Sequence, residues 1–350
     1  MTRMRIFNFP ALISTLAFLT IMASLESYGQ SLGGNSFDFL NVPSNATSAA
    51  LGGVNITKGG NNIDFVQNNP SSLNDEMLKR PSINMGFLPG KMTLTNLAYG
   101  FEEKHTGLWA VGMTYINYGK IDAYDPNGTY MGEESARDYV FSISKSHQIR
   151  HFRLGASIKF VGSNLAGYSS SGLAFDLGGQ FVHPDKDLVV GLMIKNAGFV
   201  LSQYTESSDL SMALDVQAGF AYKPEHMPFR FTMTIYNLTN TNDLYNPENE
   251  TGGASEERNV GAFDQVFSHV VIGGELLISK PFKILLGYNH KIKSELRHLE
   301  APRMSGFAFG FNLDVRAFHF AYGHGFYNVA GGTNYVSLSL NMNRVFKKNN

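Results

Sequence analysis

Residues 304–314 read Met-Ser-Gly-Phe-Ala-Phe-Gly-Phe-Asn-Leu-Asp. In an extended chain Phe307, Phe309, Phe311 and Leu313 fall on one face, and Gly306, Ala308, Gly310, Asn312 and Asp314 on the other. One face is large and apolar; the other is small or polar. The same alternation sets Val336, Leu338, Leu340 and Met342 against Tyr335, Ser337, Ser339 and Asn341. It sets Phe152, Leu154, Ala156, Ile158 and Phe160 against Arg153, Gly155, Ser157 and Lys159, and Leu214, Val216, Ala218, Phe220 and Tyr222 against Asp215, Gln217, Gly219 and Ala221. These runs span roughly 9–12 residues, the length of a tilted membrane strand, whereas strands of soluble sheets average roughly 5–6.

Carried along the chain, the pattern predicts about fourteen strands, near 82–88, 93–102, 107–118, 137–147, 152–163, 170–181, 188–197, 211–223, 229–238, 267–278, 282–290, 304–314, 316–323 and 333–343. Links after even strands are tight, as at 103–106, 148–151 and 279–281. Links after odd strands are mostly long, at 119–136, 198–210, 239–266, 291–303 and 324–332, with short exceptions at 89–92 and 164–169. Short turns at one end and long loops at the other is the outer-membrane barrel pattern. The expected fold is all-β: a transmembrane antiparallel β-barrel of about 14 strands, covering 82–346. It places the tight turns and both termini in the periplasm and the long loops outside the cell.

Composition agrees. Charged residues are 16 % of the 350, aromatics 13 %, and glycines number 36. Formal net charge is −1, so no basic excess points to nucleic acid. No cysteine is present, which excludes disulfides, thiolate metal sites and Cys nucleophiles. Arg3 and Arg5, the apolar run 11–23 and Ser27-Tyr28-Gly29 form a secretory signal peptide over 1–29, cut before Gln30; the competing reading is an anchor helix.

Fourteen strands enclose a lumen that wall side chains cannot fill. Residues 30–81 precede the first strand and carry Phe37, Phe39, Leu40 and Val42. Ala49-Ala50-Leu51-Gly52-Gly53-Val54 leads into a strand-like stretch, and 63–73 reads as a short helix broken at the corner Asn68-Asn69-Pro70. This segment is expected to be an N-terminal plug on the periplasmic side of the lumen, the alternative being a periplasmic tail.

Chemistry-bearing groups are sparse. His147 and His151 flank a turn, the acid pairs Glu133-Glu134 and Glu256-Glu257 sit in long loops, and Ser169-Ser170-Ser171 lies near a rim. None forms a nucleophile–base–orienter set, a metal cluster or a phosphate loop, so neither enzyme activity nor a cofactor is expected. The loop 240–266 is acidic, with Asp243, Glu248, Glu250, Glu256, Glu257 and Asp264 against Arg258. The loop 291–303 is mildly basic, with Lys291, Lys293, Arg297 and Arg303 against Glu295 and Glu300. Glu250, Glu256, Glu257, Arg258, Lys291, Lys293 and Arg297 are therefore the candidate contacts for a partner protein or for lipopolysaccharide, unless the two loops pair with each other.

Several short stretches carry a resemblance. They are Phe37-Asp38-Phe39-Leu40-Asn41-Val42-Pro43, the Ala49–Gly53 run, Asn68-Asn69-Pro70, Tyr115-Ile116-Asn117-Tyr118-Gly119-Lys120, Leu286-Gly287-Tyr288-Asn289, Phe320-Ala321-Tyr322-Gly323 and Ala330-Gly331-Gly332-Thr333-Asn334. In these and in their order the mature chain resembles the PorQ family, outer-membrane barrels of the type IX secretion system of Bacteroidetes, similar in architecture to the FadL family with its N-terminal hatch. The chain departs in ending Phe346-Lys347-Lys348-Asn349-Asn350 rather than on an aromatic. The resemblance implies a non-enzymatic member of the cell-surface attachment complex that joins cargo to lipopolysaccharide, with a PorZ-like surface protein, a PorU-like sortase and a PorV-like barrel as partners. The competing expectations are a FadL-like transporter of hydrophobic small molecules and a diffusion porin.

Overall fold

The computed structural model describes residues 37–346 except 59, 125–126, 207, 209, 240–261, 297–303 and 329–330. The expected signal peptide over 1–29 lies outside the described residues.

The described residues form fourteen strands: β1 (Ser82–Phe87), β2 (Thr93–Glu103), β3 (Gly107–Tyr124), β4 (Tyr130–Ile149), β5 (Phe152–Leu165), β6 (Tyr168–Val182), β7 (Asp187–Ser202), β8 (Asp215–Lys223), β9 (Phe229–Ile235), β10 (Val270–Leu277), β11 (Phe282–Asn289), β12 (Phe307–Val315), β13 (Phe318–Asn328) and β14 (Gly331–Leu340). Each pairs antiparallel with its sequence neighbours. β1 closes on β14, from Ser82 opposite Ser339 to Phe87 opposite Asn334. The sheet is a closed barrel, so it has no free edge.

Alternation decides which way each side chain points. Ile83, Met85, Phe87, Phe141, Ile143, Ile158 and Leu286 are exposed on the outer surface. Asn84, Asn96, Ser144, Ser157, Gln180, Asn312 and Ser337, which sit at the intervening positions, are buried. A barrel that is greasy outside and polar inside is the inverse of a soluble protein, and it matches a lipid-facing band around a hydrated or filled lumen. No helix among the described residues is long and apolar enough to cross a membrane; the strands do the crossing.

One end of the barrel carries short turns, such as 150–151 and 316–317; the other carries longer connections. Part of the expected loop length is strand instead. Most of 119–136 continues β3 and β4 as a paired ribbon, with Lys120 opposite Ser135 and Asp122 opposite Glu133. Glu133 and Glu134 therefore lie on a strand, not in a loop. Likewise 198–202 extends β7, and 324–328 and 331–332 extend β13 and β14. The stretch 119–136 is rich in glycine and polar residues without sustained hydrophobic alternation, and so it reads as loop. The wall is consequently uneven: β3 and β4 have 18 and 20 residues, and β9 and β10 have 7 and 8.

The segment before β1 fills the lumen as a hatch. It is built of short turns, including the helix Ala46–Ala50 and the 3-10 turns Ile63–Val66, Pro70–Ser72 and Asp75–Met77. Asn45, Asn62, Asn69 and Asn74 each accept a hydrogen bond from a backbone N–H in the turn they begin, at Ser48, Asp64, Ser71 and Glu76. The expected break at Asn69-Pro70 is where one turn ends and the next starts. The expected strand-like stretch after Gly53 is not a strand. Side chains reach its carbonyls instead, with Gln180 Nε2 donating to Ile56 O at 2.8 Å and Asn74 Nδ2 to Gly60 O at 3.0 Å. That removes the need for a ladder.

The hatch is not confined to the turn end. The turn Pro70–Ser72 packs against Gly155 and Gly178 near the turns, and the helix Ala46–Ala50 against Gly310 and Gly323 in mid-wall. Phe37 and Phe39 instead cluster with Leu94, Ile116, Val140, Val161 and Ala174 toward the loop end.

Candidate functional site

The built site of this molecule is the contact between hatch and wall, together with the cavity the hatch leaves. Small wall residues let hatch backbone approach closely. A Cβ built on Gly310 of β12 would lie 2.6 Å from Ala50 Cβ, and one built on Gly100 of β2 would lie 2.9 Å from Met77 O. Gly155 and Gly178 face Pro70 and Asn69 with no room for any side chain. The small inward residues noted in the sequence thus accommodate the hatch.

Polar contacts then fix its register. Ala46 N donates to Ser337 Oγ at 2.9 Å and Thr47 Oγ1 to Asn312 Oδ1 at 3.0 Å. Asp64 accepts from Ser82 Oγ and, at 2.9 Å, from Asn84 Nδ2. Asn96 Nδ2 donates to Gln67 Oε1 and, at 2.8 Å, to Thr114 Oγ1. Tyr327 OH donates to Ala49 O. Each buried polar atom of the wall that finds a partner on the hatch avoids a desolvation cost of about 1–3 kcal/mol.

One link between hatch and wall is ionic. Lys58 of the hatch pairs with Glu275 of β10; the two side chains are 8 % and 0 % exposed. Arg230 of β9 lies 3.5 Å from the second carboxylate oxygen of Glu275 and also holds Asp187 at 2.6 Å. Burial is the main influence on the Lys58 ammonium and pulls its pKa down to about 8, against the opposing attraction of Glu275. A second buried set lies wholly in the wall. Lys159 of β5 meets Asp176 of β6 at 2.5 Å and Asn196 Oδ1 of β7 at 3.1 Å. Asn196 sits at a β-bulge, where the β6–β7 register slips between Phe175 and Leu177. Its φ of 58° is left-handed, a conformation in which Asn is tolerated.

On the loop side of the hatch lies a cavity of about 470 Å³. Phe39, Leu40 and Val42 from the hatch line it, with Val140, Lys159 and Lys195 from the wall. Lys195 Nζ donates to Leu40 O at 2.8 Å, which ties the first described hatch residues to β7.

The residues singled out from sequence fall as follows. Asn68, Asn69 and Pro70 are brought together inside the hatch. Asn69 is buried, Ser71 Oγ donates to its Oδ1 at 2.7 Å, and its Nδ2 donates to Ile56 O at 3.0 Å. Asn68 accepts from Ser44 Oγ at 3.1 Å and donates to Ser48 Oγ at 3.0 Å. The corner therefore organises the hatch. Lys291 and Lys293 lie on the loop-end helix His290–Glu295, and Lys291 Nζ is 3.9 Å from Glu295. Glu250, Glu256, Glu257, Arg258 and Arg297 lie outside the described residues. Asp264, at the end of the acidic loop, meets His290, which precedes the basic loop, through Oδ1 and Nε2 at 2.8 Å. Sequence reasoning missed Lys58, Arg230 and Glu275. The available signal was Glu275 itself, a carboxylate at an inward position of an otherwise apolar strand.

Among the described residues no group of three His, Asp or Glu is placed to hold a metal ion. No protein-family model and no curated protein matches the chain. Solved structures do. A deletion mutant of the TodX monoaromatic hydrocarbon channel is similar over 85 % of this chain and 98 % of its own, at 14 % identity and a TM-score of 0.52. A second TodX deletion mutant covers the same share of this chain and 97 % of its own, at 13 % identity and a TM-score of 0.48. A FadL homologue from Pseudomonas aeruginosa covers 85 % and 97 %, at 10 % identity and a TM-score of 0.43. At these identities the likeness concerns fold alone: the chain is a closed, fourteen-stranded, FadL-like outer-membrane β-barrel with an N-terminal segment before β1.

Proposed function

We propose that this chain is a non-enzymatic docking barrel of the type IX secretion system, holding partners of the cell-surface attachment complex at the outer membrane. The observation that carries this reading is the hatch. It is seated by a buried ion pair, by wall–backbone contacts that leave no space for a methyl group, and by hydrogen bonds around most of the wall. A lumen filled in this way suits an anchor better than a conduit. The tall β3–β4 ribbon adds a projecting polar surface at the loop end, the kind of surface a partner protein engages. In this reading the loop end faces outside, both termini are periplasmic, and the partners are PorZ-like, PorU-like and PorV-like proteins. The assignment to that system rests on the sequence resemblance, and the fold comparisons do not bear on it.

The fold comparisons lean toward a second reading. TodX is a monoaromatic hydrocarbon channel, and the cavity of about 470 Å³ beside Phe39, Leu40 and Val42 offers an apolar ligand a place above the hatch. On this reading the chain passes hydrophobic small molecules and the hatch is a gate.

One experiment separates the two. The barrel is recovered from its native outer membrane in mild detergent, and co-purifying proteins and small molecules are identified by mass spectrometry. A sortase-like protease and a large surface protein are expected. The barrel alone, carrying an apolar ligand, overturns the docking role and leaves the transporter.

A further inference from the structure

At the turn end, opposite the loop-end cavity, lies a second cavity of about 300 Å³. It sits between the β10–β11 and β12–β13 turns, under the junction of hatch and barrel. Arg80, Lys280, Arg316 and Arg344 line it, and Asp314 is the lining carboxylate among the described residues. Asp314 is already engaged, by His319 Nδ1 at 2.8 Å and Lys283 Nζ at 3.7 Å. One lining carboxylate, shared with His319 and Lys283, faces four cationic side chains, so the pocket keeps an excess of positive charge.

Arg80 is the decisive residue. It is 9 % exposed, and its Nε is buried with no hydrogen-bond partner. A buried, unpaired guanidinium nitrogen is costly, and native structures avoid one unless something outside the chain satisfies it. Guanidinium groups present planar N–H forks that match phosphate oxygens in pairs. Arg344 faces the same space with one N–H committed to Arg316 O at 2.8 Å, which leaves the rest of its fork available. On the outer side of the same turns Ile278, Val315 and Phe318 are exposed, as expected where a barrel meets the acyl edge of a bilayer.

We propose that this turn-end pocket binds a phosphate group, with Arg80 and Arg344 as the principal donors and Lys280 and Arg316 supplying charge. Two sources fit that chemistry, the headgroup of an anionic phospholipid in the adjoining leaflet and free inorganic phosphate. The pocket is separate from the loop-end surface proposed for docking, so it stands whichever function is correct.

The test uses the full barrel, purified in detergent and checked for folding by heat-modifiable migration. Native mass spectrometry is run with phosphatidylglycerol and, separately, phosphatidylcholine, and inorganic phosphate is titrated by calorimetry. The variants are Arg80→Gln and, for a position that is not part of the packed interior, Arg344→Gln. Selective retention of phosphatidylglycerol, weakened roughly tenfold or more in either variant, establishes the lipid source. Binding of inorganic phosphate with the same sensitivity, without lipid selectivity, establishes the soluble one. Equal retention of both lipids with no phosphate binding overturns the proposal, as does binding that Arg344→Gln leaves unchanged.

Discussion

Lys58 on the hatch and Glu275 on β10 pair across the lumen with both charges shut away from solvent. Such a pair adds little net stability compared with apolar neighbours, because desolvating two charges costs nearly what their attraction returns. Its value lies in position: a hatch seated elsewhere takes Lys58 away from Glu275 and leaves that carboxylate to Arg230. Losing one partner is another matter. Lys58→Met leaves Glu275 with Arg230 at 3.5 Å, so the loss falls below the about 3–5 kcal/mol that a fully uncompensated buried charge costs. The expected outcome is a barrel that still migrates as folded while its hatch becomes protease-sensitive. Limited proteolysis followed by peptide mapping of residues 45–78 reads this directly. A hatch as resistant as the wild type excludes the pair as its lock.

The same lysine makes seating depend on pH. Seated, Lys58 has a pKa of about 8; released into water it returns toward 10.5. Between those values the seated hatch binds fewer protons than the free hatch, so raising pH through this window favours seating. The contribution is lost as pH falls through about 8 and is flat below. A fall from 10.5 to about 8 corresponds to about 3 kcal/mol. Asp64 acts in the opposite sense: burial raises its pKa, so its contribution is present in acid and is lost as pH rises through that raised value. Hatch proteolysis measured between pH 7 and 10.5 is expected to slow as pH rises in the wild type and to show no such trend in Lys58→Met.

Packing yields a prediction independent of charge. Gly155 on β5 lies against the backbone of Pro70 and Ser71, which cannot move as a flexible side-chain tip does. Gly155→Val therefore cannot be accommodated with the turn Pro70–Ser72 in place. The wall keeps its ladder, from Ala136 opposite Leu165 to Ile149 opposite Phe152, because Val suits a strand. The expected result is a folded barrel with a displaced hatch, seen as new ion conductance in planar bilayers. Silence in that assay means that the hatch yields locally without opening the lumen.

The barrel was legible because alternation is a local signal repeated in every strand. Phe307, Phe309 and Phe311 declare their face without any neighbour. The hatch was legible as a need, from the small inward residues, but not as a geometry. Lys58 lies 217 positions from Glu275, and nothing local relates them. Asn69 was found as a turn-breaking dipeptide, and its bond from Ser71 is local, yet its hydrogen bond to Ile56 and its contact with Gly178 of β6 belong to tertiary structure. The β3–β4 ribbon was misread for the converse reason: its sequence over 119–136 is rich in glycine and polar residues without sustained alternation, so a strand there looks like a loop.

That ribbon carries the last prediction. Residues 119–136 rise beyond the span a membrane strand needs, roughly 9–11 residues. Tyr130, Met131, Glu133 and Glu134 are exposed along it, and Lys120 pairs with Glu133 across it on the surface. An exposed pair of this kind is screened by water and contributes little, and Lys120 and Tyr130 to Ser135 are not buried against the wall. Replacing 119–136 with a short Asn-Gly turn should therefore leave heat-modifiable migration and hatch protection unchanged. If the ribbon is the docking surface, co-purification of the surface partner falls to background in the same variant. If recovery persists, docking belongs to the other connections at that end, with the contact between Asp264 and His290 as the next place to cut.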